Sequence, residues 1–96
     1  MNDSFLKSCW VLFMKNKVEI YTKDWCGYCR AAIQLLEQLQ LPYEEIDVTR
    51  DQEKLTEMLN RSEGRTTVPQ IFIDDKGIGG YTELYQIIQH SSQQQQ

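Results

Sequence analysis

Trp25-Cys26-Gly27-Tyr28-Cys29 is the stretch that decides the fold, because it lies between a short apolar strand pattern and a long amphipathic helix pattern. At a helix start, two cysteines three residues apart lie one turn apart on the same face, which suits a reversible disulfide. Unpaired amide N–H groups and the positive end of the helix dipole favour a thiolate at the first cysteine. The pattern therefore predicts that Cys26 attacks a disulfide sulfur of the substrate, whereas the more interior Cys29 stays protonated until it resolves the mixed disulfide that forms.

Composition limits the classes of protein to which the chain can belong. Its 96 residues allow one domain, and a net charge of −4 argues against nucleic-acid binding, which requires a clustered positive surface. Three cysteines without multi-bridge spacing indicate a reduced, cytoplasmic protein rather than a secreted disulfide scaffold. The apolar run at residues 9–14 is far shorter than the roughly 20 residues that span a bilayer, so we expect no membrane association.

Both ends of the chain are predicted to lie outside the folded domain, which we assign to residues 15–90. Residues 1–14 are interpreted as an N-terminal extension, because Met14 is a natural start just before the first strand. Disorder is one interpretation of this extension, and packing of Trp10 and Phe13 on the domain is the other. Residues 91–96 form a polar tail with too few apolar residues to order itself.

The first half of the domain shows a strand, a helix and a second strand. Residues 17–22 alternate in the strand manner, with Val18, Ile20 and Thr22 on one side. The helix that begins near Cys26 has an apolar stripe and is expected to stop at Pro42. Its stripe residues are Ala32, Leu35, Leu36 and Leu39. A second strand at residues 43–48 completes a βαβ unit, which implies parallel strands.

The second half shows a helix, a β-hairpin and a final helix. Thr49 or Asp51 caps the next helix, whose core contacts are Leu55, Met58 and Leu59 and whose left-handed end is Gly64. A β-prone run at residues 66–73 is followed by a turn at residues 74–77 and a short returning strand at residues 78–79. The last helix is predicted to be capped by Thr82 and to bury Leu84, Ile87 and Ile88.

This order of elements, with Cys-x-x-Cys at the start of the first helix, resembles the thioredoxin fold, and within it the glutaredoxin family. Three segments carry the resemblance, at residues 21–29, 65–73 and 78–84. A lone Cys-x-x-Cys is a weak signal, whereas all three segments in this order are a strong one. The resemblance implies an α/β, thioredoxin-like fold with a four-stranded mixed sheet and helices on both faces.

The resemblance also implies an activity and a site. Cys26 corresponds to the nucleophile and Cys29 to the resolving cysteine of a dithiol glutaredoxin. Such a protein is expected to be a monomer that uses glutathione to reduce disulfide-bonded and glutathionylated protein substrates. Pro69 corresponds to a cis proline, and Val68 to the residue whose backbone pairs with glutathione. The helix start at residues 81–83 would hold the γ-glutamyl carboxylate. The implied glutathione site comprises Lys23, Tyr28, Arg65, Thr67, Val68, Pro69, Gly80, Tyr81 and Thr82.

Three departures from the family pattern leave alternatives open. Gly27 stands where proline is usual, Trp25 where threonine or serine is frequent, and Thr82 where aspartate is common. Trp25 and Gly27 also fit a thioredoxin-like electron donor that a flavoprotein reductase reduces. Gly27 also fits a [2Fe–2S] cluster bridged between two subunits by Cys26 and glutathione. A zinc site is disfavoured, because only Cys9 and His90 remain as further ligands.

Overall fold

The computed structural model describes the backbone of residues 17–94 and the side chains of residues 17–89. The predictions for residues 1–14, with Cys9, Trp10 and Phe13, and for the His90 side chain lie outside the described residues. Within this part of the chain, the elements follow the predicted order. They are β1 (Val18–Thr22), α1 (Gly27–Gln38), β2 (Glu44–Asp47), α2 (Gln52–Arg61), β3 (Gln70–Ile73), β4 (Lys76–Gly79) and α3 (Tyr81–Gln94).

The strands form one sheet in the order β2-β1-β3-β4. Strand β1 is parallel to β2 and antiparallel to β3, and β3 is antiparallel to β4, so the predicted four-stranded mixed sheet is confirmed. All five residues of β1 are buried, because this strand is central and both of its faces are covered.

Two apolar clusters, one on each face of the sheet, form the core. On one face Val18 and Ile20 of β1 pack with Leu36 of α1 and Leu84 of α3. On the other face Tyr21 and Phe72 form a cluster with residues that include Met58 of α2. Helices therefore cover both faces, as predicted, and α1 is held with its first turn at the end of the central strand.

The first two helices end in left-handed residues, of which the sequence predicted only Gly64. Helix α1 ends at Gln38, ahead of Pro42, because Gln40 has φ 58° and the Leu41 N–H donates to the Leu36 carbonyl at 3.0 Å. Leu39 is consequently exposed and does not continue the predicted stripe. After α2, Glu63 with φ 61° is the first left-handed residue, and Gly64 follows it with φ 92°.

Helix caps were predicted with mixed success. Asp51 caps α2, because its carboxylate accepts the Lys54 N–H at 3.0 Å. Thr82 does not cap α3, since this helix begins at Tyr81 and Gly80 therefore precedes it. Ile87 of α3 is exposed rather than buried.

The hairpin and the end of α3 also differ from the prediction. Asp74 and Asp75 both have positive φ, at 52° and 68°, so the turn is complete in two residues and β4 begins at Lys76. Helix α3 continues to Gln94, whereas the sequence predicts an irregular tail from Ser91. Glutamine is a good helix former, and extension of an existing helix needs no new nucleus.

No helix within residues 17–94 combines the length and the hydropathy needed to cross a bilayer.

Candidate active site

Cys26 lies at the N-terminus of α1 with its sulfur aimed at the helix start. It is the cap residue, with extended backbone at φ −95° and ψ 109°, and its Sγ accepts the Cys29 N–H at 3.2 Å. On the other side, Sγ lies 3.5 Å from the carbonyl oxygen of Val68. The side chain is half-buried, so a disulfide can reach this sulfur. An amide donor and the helix dipole both favour negative charge at this position.

Cys29 has a different environment, although it lies only one helical turn away. Its side chain is fully buried. Burial is the largest of the effects that together raise the pKa of the Cys29 thiol to about 12, and the neighbouring Cys26 sulfur acts in the same direction. The Lys23 backbone N–H and the Arg30 charge oppose the rise. This environment agrees with the prediction that Cys29 stays protonated. Cys26 is therefore the accessible thiol of the pair, and Cys29 is the buried one.

A groove of about 410 Å³ begins at Val68, next to the Cys26 sulfur. It brings together eight of the nine residues proposed for glutathione from the resemblance. These are Tyr28, Arg65, Thr67, Val68, Pro69, Gly80, Tyr81 and Thr82. Lys23 is not part of this lining; it is half-buried in the loop before α1, and its carbonyl accepts the Cys26 N–H at 3.4 Å. The groove lining also contains two residues outside the set proposed for glutathione, Gln70 and Glu83.

Val68 and Pro69 form the wall of the groove nearest to Cys26. Their peptide bond is cis, as the resemblance implied. Val68 lies in a bend just before β3, and we find no partner for its backbone N–H among residues 17–94. Main-chain groups that the sheet does not use are available to an extended peptide ligand.

Gln70 holds the loop before this wall. Its side-chain Nε2 donates to the Thr67 carbonyl at 2.9 Å and to the Thr67 hydroxyl at 3.2 Å, and the residue is buried. The sequence carries a signal for this role. A glutamine that opens the apolar run Gln70-Ile71-Phe72-Ile73 must find hydrogen-bond partners when it is buried.

Glu83 organises the far end of the groove at the start of α3. Its carboxylate accepts the Gly80 N–H at 2.8 Å. That bond, a bond from its own backbone N–H and the Arg65 charge hold the pKa of Glu83 below its ordinary range. A glutamate three residues after the cap position is the spacing of a capping box, which would have identified this residue from sequence.

The amides of Tyr81 and Thr82 remain available at this end of the groove. Leu84 N–H donates to the Gly80 carbonyl, and Glu83 uses its own N–H. We find no protein partner for the N–H groups of Tyr81 and Thr82 in the described residues, and both residues line the groove. Two free amides at a helix N-terminus suit a carboxylate.

Arg65 supplies positive charge to the groove. Arg30 and Arg50 are engaged elsewhere, with Glu45 at 2.6 Å and with Asp24 at 3.0 Å. Arg65 has no ion pair among the described side chains and is exposed on the groove wall. Within residues 17–89, no group of three or more His, Cys, Asp or Glu side chains is placed to hold a metal ion.

Known proteins share both the sequence and this architecture. The glutaredoxin family model matches residues 18–78. Glutaredoxin 3 of Escherichia coli (strain K12) is 50% identical over 68 residues, which are 71% of this chain and 81% of that protein. The crystal structure of glutaredoxin 1 from Francisella tularensis superposes with a TM-score of 0.67 at 36% identity, covering 81% of this chain and 98% of that one.

A buckwheat glutaredoxin, solved as a complex with glutathione, superposes with a TM-score of 0.69 at 26% identity and covers 93% of this chain and 83% of that chain. These likenesses extend over the whole sheet, so the predicted thioredoxin-like fold is confirmed. By the matched segment, the sheet order and the relatives' identity, this chain belongs to the glutaredoxin family of thiol–disulfide oxidoreductases.

Proposed function

We propose that this chain uses glutathione to reduce glutathione mixed disulfides and protein disulfides, with Cys26 as the nucleophile and Cys29 as the resolving thiol. The observation that carries the proposal is the difference between the two sulfurs. Cys26 is half-buried, accepts an amide N–H and borders the groove, whereas Cys29 is fully buried with its pKa raised to about 12. One accessible sulfur that can attack and one buried thiol that stays protonated are the components of a two-step exchange.

With a glutathione mixed disulfide, only Cys26 is needed. Its thiolate attacks the glutathionyl sulfur, a new Cys26–glutathione disulfide forms, and the substrate thiolate leaves and takes up a proton. A second glutathione, as thiolate, then attacks the glutathionyl sulfur of this adduct. Oxidised glutathione leaves, and the Cys26 thiolate is regenerated.

With a protein disulfide, Cys29 completes the reaction. Cys26 first forms a mixed disulfide with the substrate, and Cys29 must then lose its proton and attack the Cys26 sulfur. The second substrate thiolate leaves, and a Cys26–Cys29 disulfide remains, which two glutathione molecules reduce. Burial disfavours the Cys29 thiolate, so in this proposal Cys29 reacts only after Cys26 has been occupied.

The groove offers each part of glutathione a complementary group. Val68 main-chain groups would pair with the cysteinyl residue as an added strand would, which brings its sulfur towards Cys26. The Tyr81 and Thr82 amides would hold the γ-glutamyl carboxylate, and Arg65 the glycine carboxylate. Tyr28, Thr67, Pro69 and Gly80 would shape the walls between these ends. The role proposed for Lys23 requires its side chain to extend from the loop towards Cys26.

Two serine variants test the division of labour between the cysteines. The substrate is the mixed disulfide of cysteine and glutathione, with glutathione, glutathione reductase and NADPH to follow turnover. We expect Cys26→Ser to have no activity and Cys29→Ser to retain most of it. Reduction of a protein disulfide should fail in both variants. Equal loss in both variants with the small mixed disulfide would refute the assignment.

The same assay, together with an absorption spectrum, separates the proposal from its two alternatives. A thioredoxin-like donor would turn over with thioredoxin reductase and NADPH in place of glutathione and its reductase. A [2Fe–2S] cluster needs four ligands, and in the described residues Cys26 is the one accessible thiol, so each chain would supply a single ligand beside glutathione. Anaerobic purification with glutathione would then give a visible absorption band, which our proposal does not require.

A further inference from the structure

Three tyrosines form a row that begins at the groove and leaves it along α3. The ring centroids of Tyr28 and Tyr81 lie 5.9 Å apart, and those of Tyr81 and Tyr85 lie 6.1 Å apart. Tyr28 and Tyr81 line the groove, whereas Tyr85 lies outside its lining. Tyr28 and Tyr85 are exposed and Tyr81 is half-buried, so this tyrosine row is a continuous aromatic surface that starts beside the thiol pair.

The core accounts for Tyr81 only in part, because this half-buried side chain packs against the cluster that contains Leu84, and it does not account for Tyr28 or Tyr85. Helix α3 uses Leu84 and Ile88 to pack against the sheet and α1, and Tyr85 retains 43% exposure. No hydrogen bond fixes the three tyrosine hydroxyls to any described residue. Isolated exposed apolar side chains are ordinary, but a contiguous aromatic surface marks a binding site. Tyrosine is suited to such a site, because it offers a large rigid contact with little loss of side-chain entropy.

We propose that the tyrosine row binds the polypeptide segment on one side of the substrate cysteine, in extended conformation. This proposal rests on the function proposed above. The protein half of the mixed disulfide is bonded to the glutathionyl sulfur that Cys26 attacks, so when glutathione fills the groove this half must extend away from that sulfur along another surface. The tyrosine row is continuous with the groove, because Tyr28 and Tyr81 belong to both.

The spacing of the rings matches the repeat of an extended chain. Alternate side chains of a β-strand lie about 6.6 Å apart, since each residue advances about 3.3 Å. The ring spacings of 5.9 and 6.1 Å are close to this repeat. Alternate side chains of an extended peptide would therefore be spaced much as the rings are.

The residues around Tyr85 on the helix surface carry no charge, so the aromatic rings decide which substrate side chains this surface favours. Thr82 lies three residues before Tyr85 and Gln89 four residues after it, so both are its neighbours on the helix surface. Gln86 follows Tyr85 directly in the sequence. All three are exposed and uncharged. The substrate side chains that meet the tyrosine row should accordingly be apolar or aromatic at alternate positions.

The test uses Tyr85, because this residue lies outside the groove that is proposed for glutathione. Ile87 is a matched control, since it is also 43% exposed and lies on the same helix but on another face. Each variant, Tyr85→Ala and Ile87→Ala, is assayed with two substrates in the full chain. One is the mixed disulfide of cysteine and glutathione, and the other is a glutathionylated peptide with leucine at the second and fourth positions after its cysteine and serine elsewhere.

For Tyr85→Ala we expect kcat/KM to fall about threefold to tenfold with the leucine peptide, as loss of one aromatic contact implies. It should stay unchanged with the small disulfide, and Ile87→Ala should change neither. A peptide with serine in place of both leucines should react equally with the unaltered chain and with Tyr85→Ala. Unchanged leucine-peptide kinetics in Tyr85→Ala, or an equal fall with both substrates, would overturn the proposal.

Failure of the tyrosine row is distinguishable from failure of the proposed function. If the unaltered chain does not turn over the small disulfide, the function itself is wrong. A photo-crosslinking amino acid at position 85 then identifies what occupies the surface. Crosslinks to the leucine peptide support the proposal. The proposal is refuted if, with the peptide in excess, position 85 still crosslinks to residues 1–16 of the same chain or to a second copy of the chain.

Discussion

Arg61 is predicted to contribute more to stability than any other arginine among the described residues. Its guanidinium donates to the Glu19 carboxylate at 2.9 and 3.3 Å and to the Tyr21 hydroxyl at 2.8 Å. It also lies 4.2 Å from the centroid of the Phe72 ring. These contacts join the end of α2 to β1 and β3, immediately before the loop that forms the groove wall.

The expected cost of Arg61→Ala follows from what the substitution leaves behind. Glu19 is buried in the central strand, and its remaining cation is the exposed Lys17 at 3.8 Å. Loss of one partner from a buried ion pair costs about 3–5 kcal/mol. The Arg61 side chain retains 22% exposure, so water compensates in part and the lower end of that range applies. We expect the free energy of unfolding to fall by about 3 kcal/mol.

Urea unfolding followed by far-UV circular dichroism measures this loss as a lower midpoint urea concentration, while the dependence of the unfolding free energy on urea concentration stays the same. Arg50→Ala is the matched control, because the Arg50–Asp24 pair has a similar distance, 3.0 Å, but an arginine side chain that is 80% exposed. This control should change stability by less than about 0.5 kcal/mol. In the Arg61→Ala background, Glu19→Gln should recover part of the loss, since it removes the unpaired charge. A loss below about 1 kcal/mol, or equal losses for both arginines, would refute the reasoning.

Two further predictions concern the first turn of α1. The pKa of Cys29 is raised from 9.0 to about 12 in the folded chain, so between these pH values the folded state holds a proton that the unfolded state has lost. Stability should therefore decrease by about 1.4 kcal/mol per pH unit above pH 9, relative to Cys29→Ser under reducing conditions; parallel pH profiles of the two proteins would contradict this. Gly27 is the first residue of the helix, open space surrounds the position of its missing Cβ, and its N–H has no partner in the described part of the chain. Gly27→Pro should accordingly raise stability by about 0.5–1 kcal/mol in urea unfolding, and a lower midpoint would show that the position does not accept a fixed φ.

The features that could be predicted from the sequence are those encoded by neighbouring residues. Apolar periodicity, together with turn residues for the hairpin, predicted the order of all the described elements, and Asp51 was one of two cap candidates for α2, beside Thr49. The Cys26–Cys29 spacing predicted two thiols on one turn, and burial of the second follows from its interior position in α1. The residues that carry such signals lie within one or two helical turns of each other along the sequence, so the signals can be recognised without knowledge of the tertiary structure.

Features that depend on distant residues could not be predicted in the same way. The Arg61–Glu19 pair joins residues 42 positions apart, and the sequence near either residue gives no indication of its partner. The exposure of Ile87 depends on where Leu84 and Ile88 meet the sheet, because the periodicity of α3 alone allows more than one choice of buried face. The left-handed Gln40 and Glu63 were missed for another reason, since glycine is the usual residue at such positions and neither residue is glycine.

The proposed site consists largely of main-chain groups, so side-chain departures from the family pattern would leave those groups in place. The groups proposed to bind glutathione include the Val68 backbone and the amides of Tyr81 and Thr82, which are free because of the bend before β3 and the start of α3. Thr82 lacks the charge of the aspartate common at its position, but the amide there is unaffected by that substitution. The fold creates these donors by leaving them unpaired, so their presence follows from backbone geometry, whereas the tyrosine row and Glu83 are side-chain features in which this chain can differ from its relatives.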